Sequence, residues 1–453
     1  MRRLLIYGLL SFLTSGLAAQ TLLTLDEAVR KAIRHKPSLE VLRLQTQQEE
    51  LSRKEIKARW WPEISLSYDY RYNPIVATTI IPIGQFDVNN PTNAVRGIRM
   101  GTKWQQNGGI TLSQPLLDFA IQRNLRRSKL LCELASANQK IGHDELIYEV
   151  AQSYLNICRK EELMEINRQD TLRTYVTLRQ QMSLFKNEKL LLSDLNRARI
   201  NHNDAISLLE DVQTDLLTEK IYLSFLTGIS TDTLVFFTRF DPQQSRRQIR
   251  WCLDEKVQPD SLYILRKLNL EQRTAREDLK IAKARSLPTL SLEAFLGGNH
   301  FNDCFSPFER NTWYGSSYLG ISLKLPIVYQ ENFKARNKRL HLNATIYALQ
   351  EAEQRRQLNT NALISFENIR KTEKEIERLE ENKSLEQQIL VVLSRRFEEH
   401  QTAAFELNLE ELEYLKIQTR LQEKYTEQIL ESLNYLKNTG LLYLLQHPAQ
   451  PEE

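Results

Sequence analysis

The chain has few of the residues that interrupt helices. Its 453 residues include only 14 glycines and 13 prolines, against usual shares of about 7% and about 5%. These counts exclude a collagen-like or a disordered chain. They predict a protein built mostly of long helices.

The chain also has little charge of one sign, few cysteines and no recognisable catalytic motif. Lys and Arg (61) nearly balance Asp and Glu (57), so we expect no nucleic-acid partner. The four cysteines show no CxxC spacing, which favours isolated thiols over a disulfide scaffold. HExxH, GxSxG, Walker A and strand-linked GxGxxG motifs are absent, and the seven histidines are widely separated. We therefore expect no enzyme, no cofactor and no metal site.

Long apolar runs are scarce, and the one at the N-terminus is short. Arg2 and Arg3 precede an apolar run at residues 4–13, and small residues up to Ala19 follow it. This pattern is typical of a secretory signal peptide, here residues 1–19. The run has about half of the ~20 residues that a membrane helix needs. Because no other stretch comes near that length, any membrane span should consist of strands.

An internal repeat organises the rest of the sequence. ARWWPEISL at 58–66 recurs as ARSLPTLSL at 284–292, GITLSQP at 109–115 as GISLKLP at 320–326, and Thr227-Gly228 as Thr439-Gly440. Matched prolines, glycines and apolar positions in the same order indicate two copies of one unit. The predicted domains are a first repeat at 20–228, an equatorial linker region at 229–258, a second repeat at 259–440 and a C-terminal tail at 441–453.

Each repeat reads as helix, strand, loop, strand, long helix, shorter helix. Thr24 and Glu27 form a capping-box pattern at the start of a helix that we expect to run to about Arg59. Four strands are predicted, at 62–72, 109–116, 288–297 and 317–326. Apolar and polar residues alternate along these strands, so the side chains should point to two different faces. The side chains expected to face lipid or packed neighbours are Leu66, Tyr68, Leu292 and Ile321, and those expected to face a lumen are Ser67, Asp69 and Glu293.

Aromatic residues favour a membrane barrel over a soluble sheet. Four of the five tryptophans (Trp60, Trp61, Trp104 and Trp313) lie at strand ends, where membrane barrels carry their interfacial aromatic residues. Apolar residues spaced by three and four over about 121–185 and 333–397 predict long helices with coiled-coil-like packing. A helix of ~65 residues would span ~100 Å, which matches the summed lengths of the returning helices.

These motifs together resemble the TolC-type outer membrane efflux proteins. The resemblance rests on Leu25-Asp26-Glu27-Ala28, Pro37-Ser38-Leu39, the paired Pro-strand starts, the duplicated unit and Phe185…Asp194-Leu195…Ala198. It implies a mainly helical chain with four strands, which forms a homotrimer with a 12-stranded membrane β-barrel and a helical tunnel. Such a protein lies in the outer membrane, extends into the periplasm, and is the exit channel for an inner-membrane pump (RND, ABC or similar). A periplasmic adaptor joins the two.

The resemblance also implies a gate at the periplasmic tip. Asp194 corresponds to an aspartate that helps to hold the tip closed, and Glu406 to an acidic ring at the entrance, to which Glu410 is added as a further candidate. Phe397 replaces the family's tip tyrosine, and Thr402 stands where the family has an arginine. A polar lock through those two side chains is therefore not expected.

Two alternatives remain at this point. A type I protein secretion duct has the same architecture, and a soluble periplasmic coiled-coil adaptor would have a helical hairpin without barrel strands. Basic clusters follow the second and fourth strands; they are Arg123, Arg126, Arg127 and Lys129, and Lys334, Arg336, Lys338 and Arg339. They could bind lipid phosphates or form interchain ion pairs.

Overall fold

The computed structural model describes residues 23–82, 91, 93, 95–231, 262–306, 309, 313–326, 330–399, 401–402 and 404–442. The expected signal peptide and nearly all of the expected linker and tail lie outside these residues. The chain forms two compact units. The sheet unit comprises Gln47–Leu134 and Leu270–Ala348, and the helical unit comprises the remaining segments, Met1–Thr46, Ala135–Asn269 and Leu349–Glu453.

Helices dominate the described residues, and six strands accompany them. In chain order the elements are α1 (Leu25–His35), α2 (Pro37–Ala58), β1 (Glu63–Tyr72), β2 (Thr78–Ile81), β3 (Arg96–Arg99), β4 (Trp104–Leu117), α3 (Phe119–Lys186), α4 (Leu192–Thr227), α5 (Tyr263–Ala284), β5 (Thr289–Asn302), β6 (Trp313–Lys324), α6 (Gln330–Glu398) and α7 (Ala404–Thr439). Across the described part of the chain, none of these helices is both long enough and apolar enough to cross a bilayer.

The sheet unit contains one antiparallel four-stranded sheet in the order β1-β4-β5-β6. The strands β4, β5 and β6 extend beyond the predicted segments at the end distant from the helices. Alternation does not reveal these extensions, because glycines and polar residues such as Gln105, Gln106 and Asn299 occupy them. The connection between β1 and β4 also carries the short hairpin β2–β3, which the sequence pattern did not predict.

The single helix predicted from Leu25 to about Arg59 is wrong, because two helices occupy this segment. The capping box at Thr24 and Glu27 is present, with both reciprocal hydrogen bonds formed. The first helix ends at Lys36, whose φ of −74° and ψ of 111° are extended. A residue before proline is forced out of the helical region, and Pro37 then occupies the first position of α2, where it is tolerated.

The two long hairpins are almost equal in length, as a duplicated unit requires. Helices α3 and α4 have 68 and 36 residues, and α6 and α7 have 69 and 36. Each shorter helix is followed by a left-handed glycine, Gly228 (φ 72°) or Gly440 (φ 77°), the conformation that commonly ends a helix. The predicted fold class, mainly helical with a duplicated helix-and-strand unit, is confirmed.

The main core of the helical unit lies where α1 packs against α3 and α4. Ala28 and Ala32 are fully buried, so α1 can approach Val150 and Ile157 of α3 and Leu223 of α4 closely. Small residues on one helix and larger ones on its neighbours give the dense packing of a protein interior.

Candidate functional site

The four-stranded sheet has one apolar and one polar face, and its register makes both continuous. Leu66 lies opposite Ile110, which lies opposite Leu296. On the other face Ser67 lies opposite Gly109. The register places Leu66, Tyr68, Leu292 and Ile321 on the apolar face, and Ser67, Asp69 and Glu293 on the polar face. Each strand's alternation therefore agrees with that of its neighbours.

The apolar face is exposed. Leu66 is 80% exposed and Leu319 is 75% exposed, and neither lies in a loop where an isolated exposed leucine would be ordinary. Contiguous apolar surface of this kind marks a site of contact with a membrane or another protein. The strands β1 and β6 are also the outer edges of the sheet, so each has a row of backbone groups that can pair with another chain.

The four predicted interface tryptophans lie at the two ends of this sheet. Trp60 and Trp61 lie in the short connection between the end of α2 at Ala58 and the start of β1 at Glu63. Trp104 begins β4 at the other end, and its ring centroid lies 5.2 Å from that of Tyr70 and 5.1 Å from that of Phe305. Trp313 begins β6 at that same end. Two tryptophans therefore lie at each end of the apolar face.

A buried polar pair lies beside the second aromatic group, and the sequence pattern did not reveal it. Gln106 and His300 are directly opposite in the register, and both are 0% exposed. The Tyr68 hydroxyl donates to Gln106 Oε1 at 2.6 Å, and Gln106 Nε2 lies 3.4 Å from His300 Nδ1. The His300 ring packs against Trp313, with centroids 5.4 Å apart. These contacts give the Gln106 amide and one ring nitrogen of His300 partners within the chain, whereas His300 Nε2 is buried and has no hydrogen-bond partner among the described residues.

The α3–α4 turn carries the first of the predicted tip residues. Helix α3 ends at Lys186, Glu188 adopts a left-handed φ of 57°, and α4 begins at Leu192. Asp194 lies in the first turn of α4 and is half-buried, where the helix dipole stabilises a carboxylate. Among the described residues, no ion-pair partner of its carboxylate is found.

The other predicted tip residues lie at the α6–α7 turn. Phe397 is half-buried in the last turn of α6, and Glu406 is exposed in the first turn of α7. Glu410 is one turn further on and lies beside Glu386 of α6, which is only 8% exposed. Burial, together with the neighbouring Glu410, raises the pKa of Glu386. Glu410 therefore belongs to a carboxyl pair between the helices of one hairpin.

An ionic cluster between the two hairpins was missed by the sequence analysis. Arg173 of α3 donates through Nε to Asp170 at 3.1 Å and donates through Nη1 to Glu411 of α7. Burial raises the pKa of Glu411 even though Arg173 opposes the shift. Sequence spacing gives no signal for this contact, because Arg173 and Glu411 are 238 residues apart.

The first basic cluster is partly neutralised within the chain. Arg127 Nε lies 2.6 Å from Asp278 Oδ1, and Arg123 Nη1 lies 3.7 Å from Glu277 Oε2. Both acidic partners belong to α5. The two arginines thus form ion pairs within one chain. The sequence had led us to expect lipid phosphates or another chain as their partners. In the described ranges there is no group of three His, Cys, Asp or Glu side chains suited to a metal ion.

Solved structures with the same arrangement of long helices and strands decide the fold. VceC from Vibrio cholerae superposes with a TM-score of 0.72 at 13% identity, over 92% of this chain and 96% of that one. CmeC of Campylobacter jejuni gives a TM-score of 0.73 at 14% identity, over 92% and 85% of the two chains. The chain has the fold of the TolC-type outer membrane channels. The resemblance inferred from the sequence motifs is confirmed at the level of the fold.

Sequence comparison points to the same TolC-type group. The chain is 22% identical over 251 residues to the outer membrane protein TolC of Vibrio cholerae, and this match covers 54% of the chain and 56% of the relative. The match thus spans little more than half of that relative's length. No family model matches the chain. Of the two solved structures with this fold, VceC is an outer membrane protein and CmeC is an outer membrane channel.

Proposed function

We propose that this chain is the outer membrane exit channel of a tripartite efflux system. It acts as a homotrimer that conducts substrates passively after an inner-membrane pump (RND, ABC or similar) delivers them through a periplasmic adaptor. It contacts outer membrane lipid and extends into the periplasm. The observation that carries this proposal is the four-stranded sheet with an exposed apolar face and two open edges.

In a membrane, closure of the sheet into a barrel would pair the open edges and would place the exposed apolar face against lipid. A strand edge cannot remain unpaired in lipid, so β6 of one copy pairs with β1 of the next until the sheet closes. Three copies give 12 strands, a size at which the barrel interior is wider than side chains can fill. The apolar face then contacts lipid, and the polar face lines a water-filled lumen.

The tip residues form the gate in this proposal. Asp194 and Phe397 stabilise the closed tip, and Glu406 forms an acidic ring around the entrance, with Glu410 contributing beside Glu386. Phe397 and Thr402 replace the family's polar lock. The contact between Arg173 and Glu411 supports another closing interaction, because it joins the first hairpin to the second. No catalysis, cofactor or resident metal is part of this function.

The two alternatives differ in how they relate to the structure. A type I secretion duct would use the same sheet and hairpins, so only the cargo and the partner pump separate it from an efflux channel. A soluble adaptor has no use for an exposed apolar sheet face, and this observation disfavours it. Copurification of the adaptor, followed by measurement of dye efflux and of protein secretion in a deletion strain, distinguishes these functions.

Cysteine labelling tests the membrane orientation. Cys304 is exposed in the β5–β6 connection, at the end of the sheet opposite to all the helix connections. An impermeant maleimide should label Cys304 in intact cells. Cys158 is the matched control, because it is buried and burial raises the pKa of its thiol to about 12. Labelling of Cys304 only after the outer membrane is broken would contradict the proposed orientation.

A further inference from the structure

The polar face of the sheet contains two aromatic pairs, Phe301 with Tyr314, whose rings are tilted by 42°, and a more nearly parallel pair closer to the helix connections. Phe295 of β5 lies directly opposite Tyr318 of β6, with ring centroids 5.8 Å apart and an angle of 22° between the rings. Tyr318 is 56% exposed. The sequence pattern gives Phe295 no role and suggests an interfacial position for Tyr318, whereas the register places both on the polar face. The proposed channel does not require aromatic rings in its lumen.

Two glycines allow the Phe295 ring to lie flat against the backbone of the sheet. A Cβ atom at Gly109 would lie 2.5 Å from Phe295 Cε2, and one at Gly297 would lie 2.6 Å from Phe295 Cζ and 2.4 Å from the Gly108 carbonyl oxygen. These distances are too short for any side chain, so the ring rests directly on the backbone of β4 and β5. The result is a nearly parallel pair of rings supported from below and open toward the polar side.

The charges around this pair are all acidic. Glu293 lies one row away on the same strand and the same face, a spacing of about 7 Å. Glu63 shares its row, two strands away. The basic residues of the polar face, Arg71 and Lys324, are each three rows from the pair, or about 20 Å. The surface therefore combines a π platform with negative charge and keeps positive charge at a distance.

We propose that Phe295 and Tyr318, with Glu293 as the counter-charge, form a transient binding site in the lumen for planar aromatic cations in transit. A flat cation stacks on the ring pair, where the ring quadrupole attracts positive charge, and the Glu293 carboxylate lies within reach of its charged group. In a trimer the site occurs three times around the barrel. This inference rests on the proposed channel function and adds the class of cargo.

The test is block of single channels in planar bilayers by ethidium, with tetrapropylammonium as the non-aromatic cation of equal charge. Phe295→Leu and Tyr318→Leu should each raise the half-blocking ethidium concentration at least fivefold and leave that of tetrapropylammonium within twofold. Phe295→Tyr should retain block by ethidium. Glu293→Gln should weaken block by both cations, and Ser322→Ala, on the same face, should weaken neither.

Each outcome decides a different claim. If Phe295→Leu fails to assemble, the test depends on Tyr318→Leu. The Tyr318 side chain is more exposed than that of Phe295, so its loss should disturb packing less. Equal ethidium block in wild type and in both leucine variants, with normal conductance, would overturn the binding site and leave the channel standing. In the two leucine variants, equal weakening of block by ethidium and by tetrapropylammonium would also overturn the binding site, because a general change of pore size would then explain the result. A wild-type protein without any conductance would overturn the proposed function itself, and the binding site with it.

Discussion

The Arg173 guanidinium joins Glu411 of α7 to Asp170 of its own helix, so that one cation links the two repeats. Both acidic side chains are largely shielded from solvent. Because burial raises the pKa of Glu411 despite the nearby cation, desolvation offsets much of the attraction. The contact therefore positions α3 against α7 more than it stabilises the fold.

Removal of Arg173 should loosen the hairpins. Arg173→Met leaves two carboxylates close together without a cation, which should cost about 1–3 kcal/mol and lower the melting temperature. In the proposed channel it should raise conductance and antibiotic leakage. Arg168→Met is the matched control, because Arg168 is on the same helix and pairs with Glu165 in an exposed contact, where the cost is small. Equal leakage from the two variants would refute the role of Arg173.

A charge on the apolar face should be tolerated much less than a lost charge on the polar face. Leu292→Arg places a cation where we propose lipid and should reduce the yield of trimer. Leu292 is the fourth residue of β5, between the membrane middle and the interface, so the cost should be about 1–2 kcal/mol. Glu293→Gln, at the next residue and on the opposite face, should assemble normally. Both yields can be measured by size-exclusion chromatography in detergent, and similar yields would show that the two faces are misassigned.

The two acidic tip residues should have separable effects on single-channel recordings. Glu406→Ala removes an exposed charge that the proposed trimer would repeat around a narrow opening, so cation selectivity should fall and block by multivalent cations should weaken. Asp194→Ala should instead raise the open probability, with little change in selectivity. Unchanged selectivity in the first variant and unchanged opening in the second would show that the tip is assigned incorrectly.

The thermal stability of the helical unit should depend on pH through Asp144. Burial and the adjacent Glu145 raise the pKa of this carboxyl to about 6. Because the folded state holds the proton more tightly than the unfolded chain, stability from this group is complete below about pH 4 and is lost as pH rises toward 6. Asp144→Asn should therefore raise the free energy of unfolding at pH 7.5 by about 1 kcal/mol, which raises the melting temperature, and should change both little at pH 4. An equal change at both pH values would contradict this explanation.

Regular periodicity made the strands and hairpins predictable from sequence. Nine residues of apolar and polar alternation predicted the strand β1. The matched glycines at 228 and 440 predicted that a helix ends at the same place in each repeat. The break at Lys36 was missed because apolar periodicity continues across it, while the proline acts on the residue before it. The beginnings of β4 and β6 were missed because packing and hydrogen bonding determine those positions more than alternation does.

Contacts between distant segments could not be predicted. The pairs Gln106–His300 and Arg173–Glu411 are 194 and 238 residues apart. None of these four residues is of an unusual type for its position, and no periodic pattern in the sequence connects the two partners of either pair. Both contacts depend on the order of the strands or on the packing of the hairpins, which single-sequence reasoning does not supply.

The equal lengths of the two hairpins have a consequence for the symmetry of the assembly. The long helices that lead to the two turns have 68 and 69 residues, and both returning helices have 36 residues. A trimer would then present six hairpin ends of the same length, with near-sixfold symmetry in the backbone but only threefold symmetry in side chains such as Asp194 and Glu406. A partner that reads the backbone could bind in six copies, whereas a partner that reads these carboxylates would bind in three. The stoichiometry of a copurified adaptor would therefore reveal which of the two it recognises.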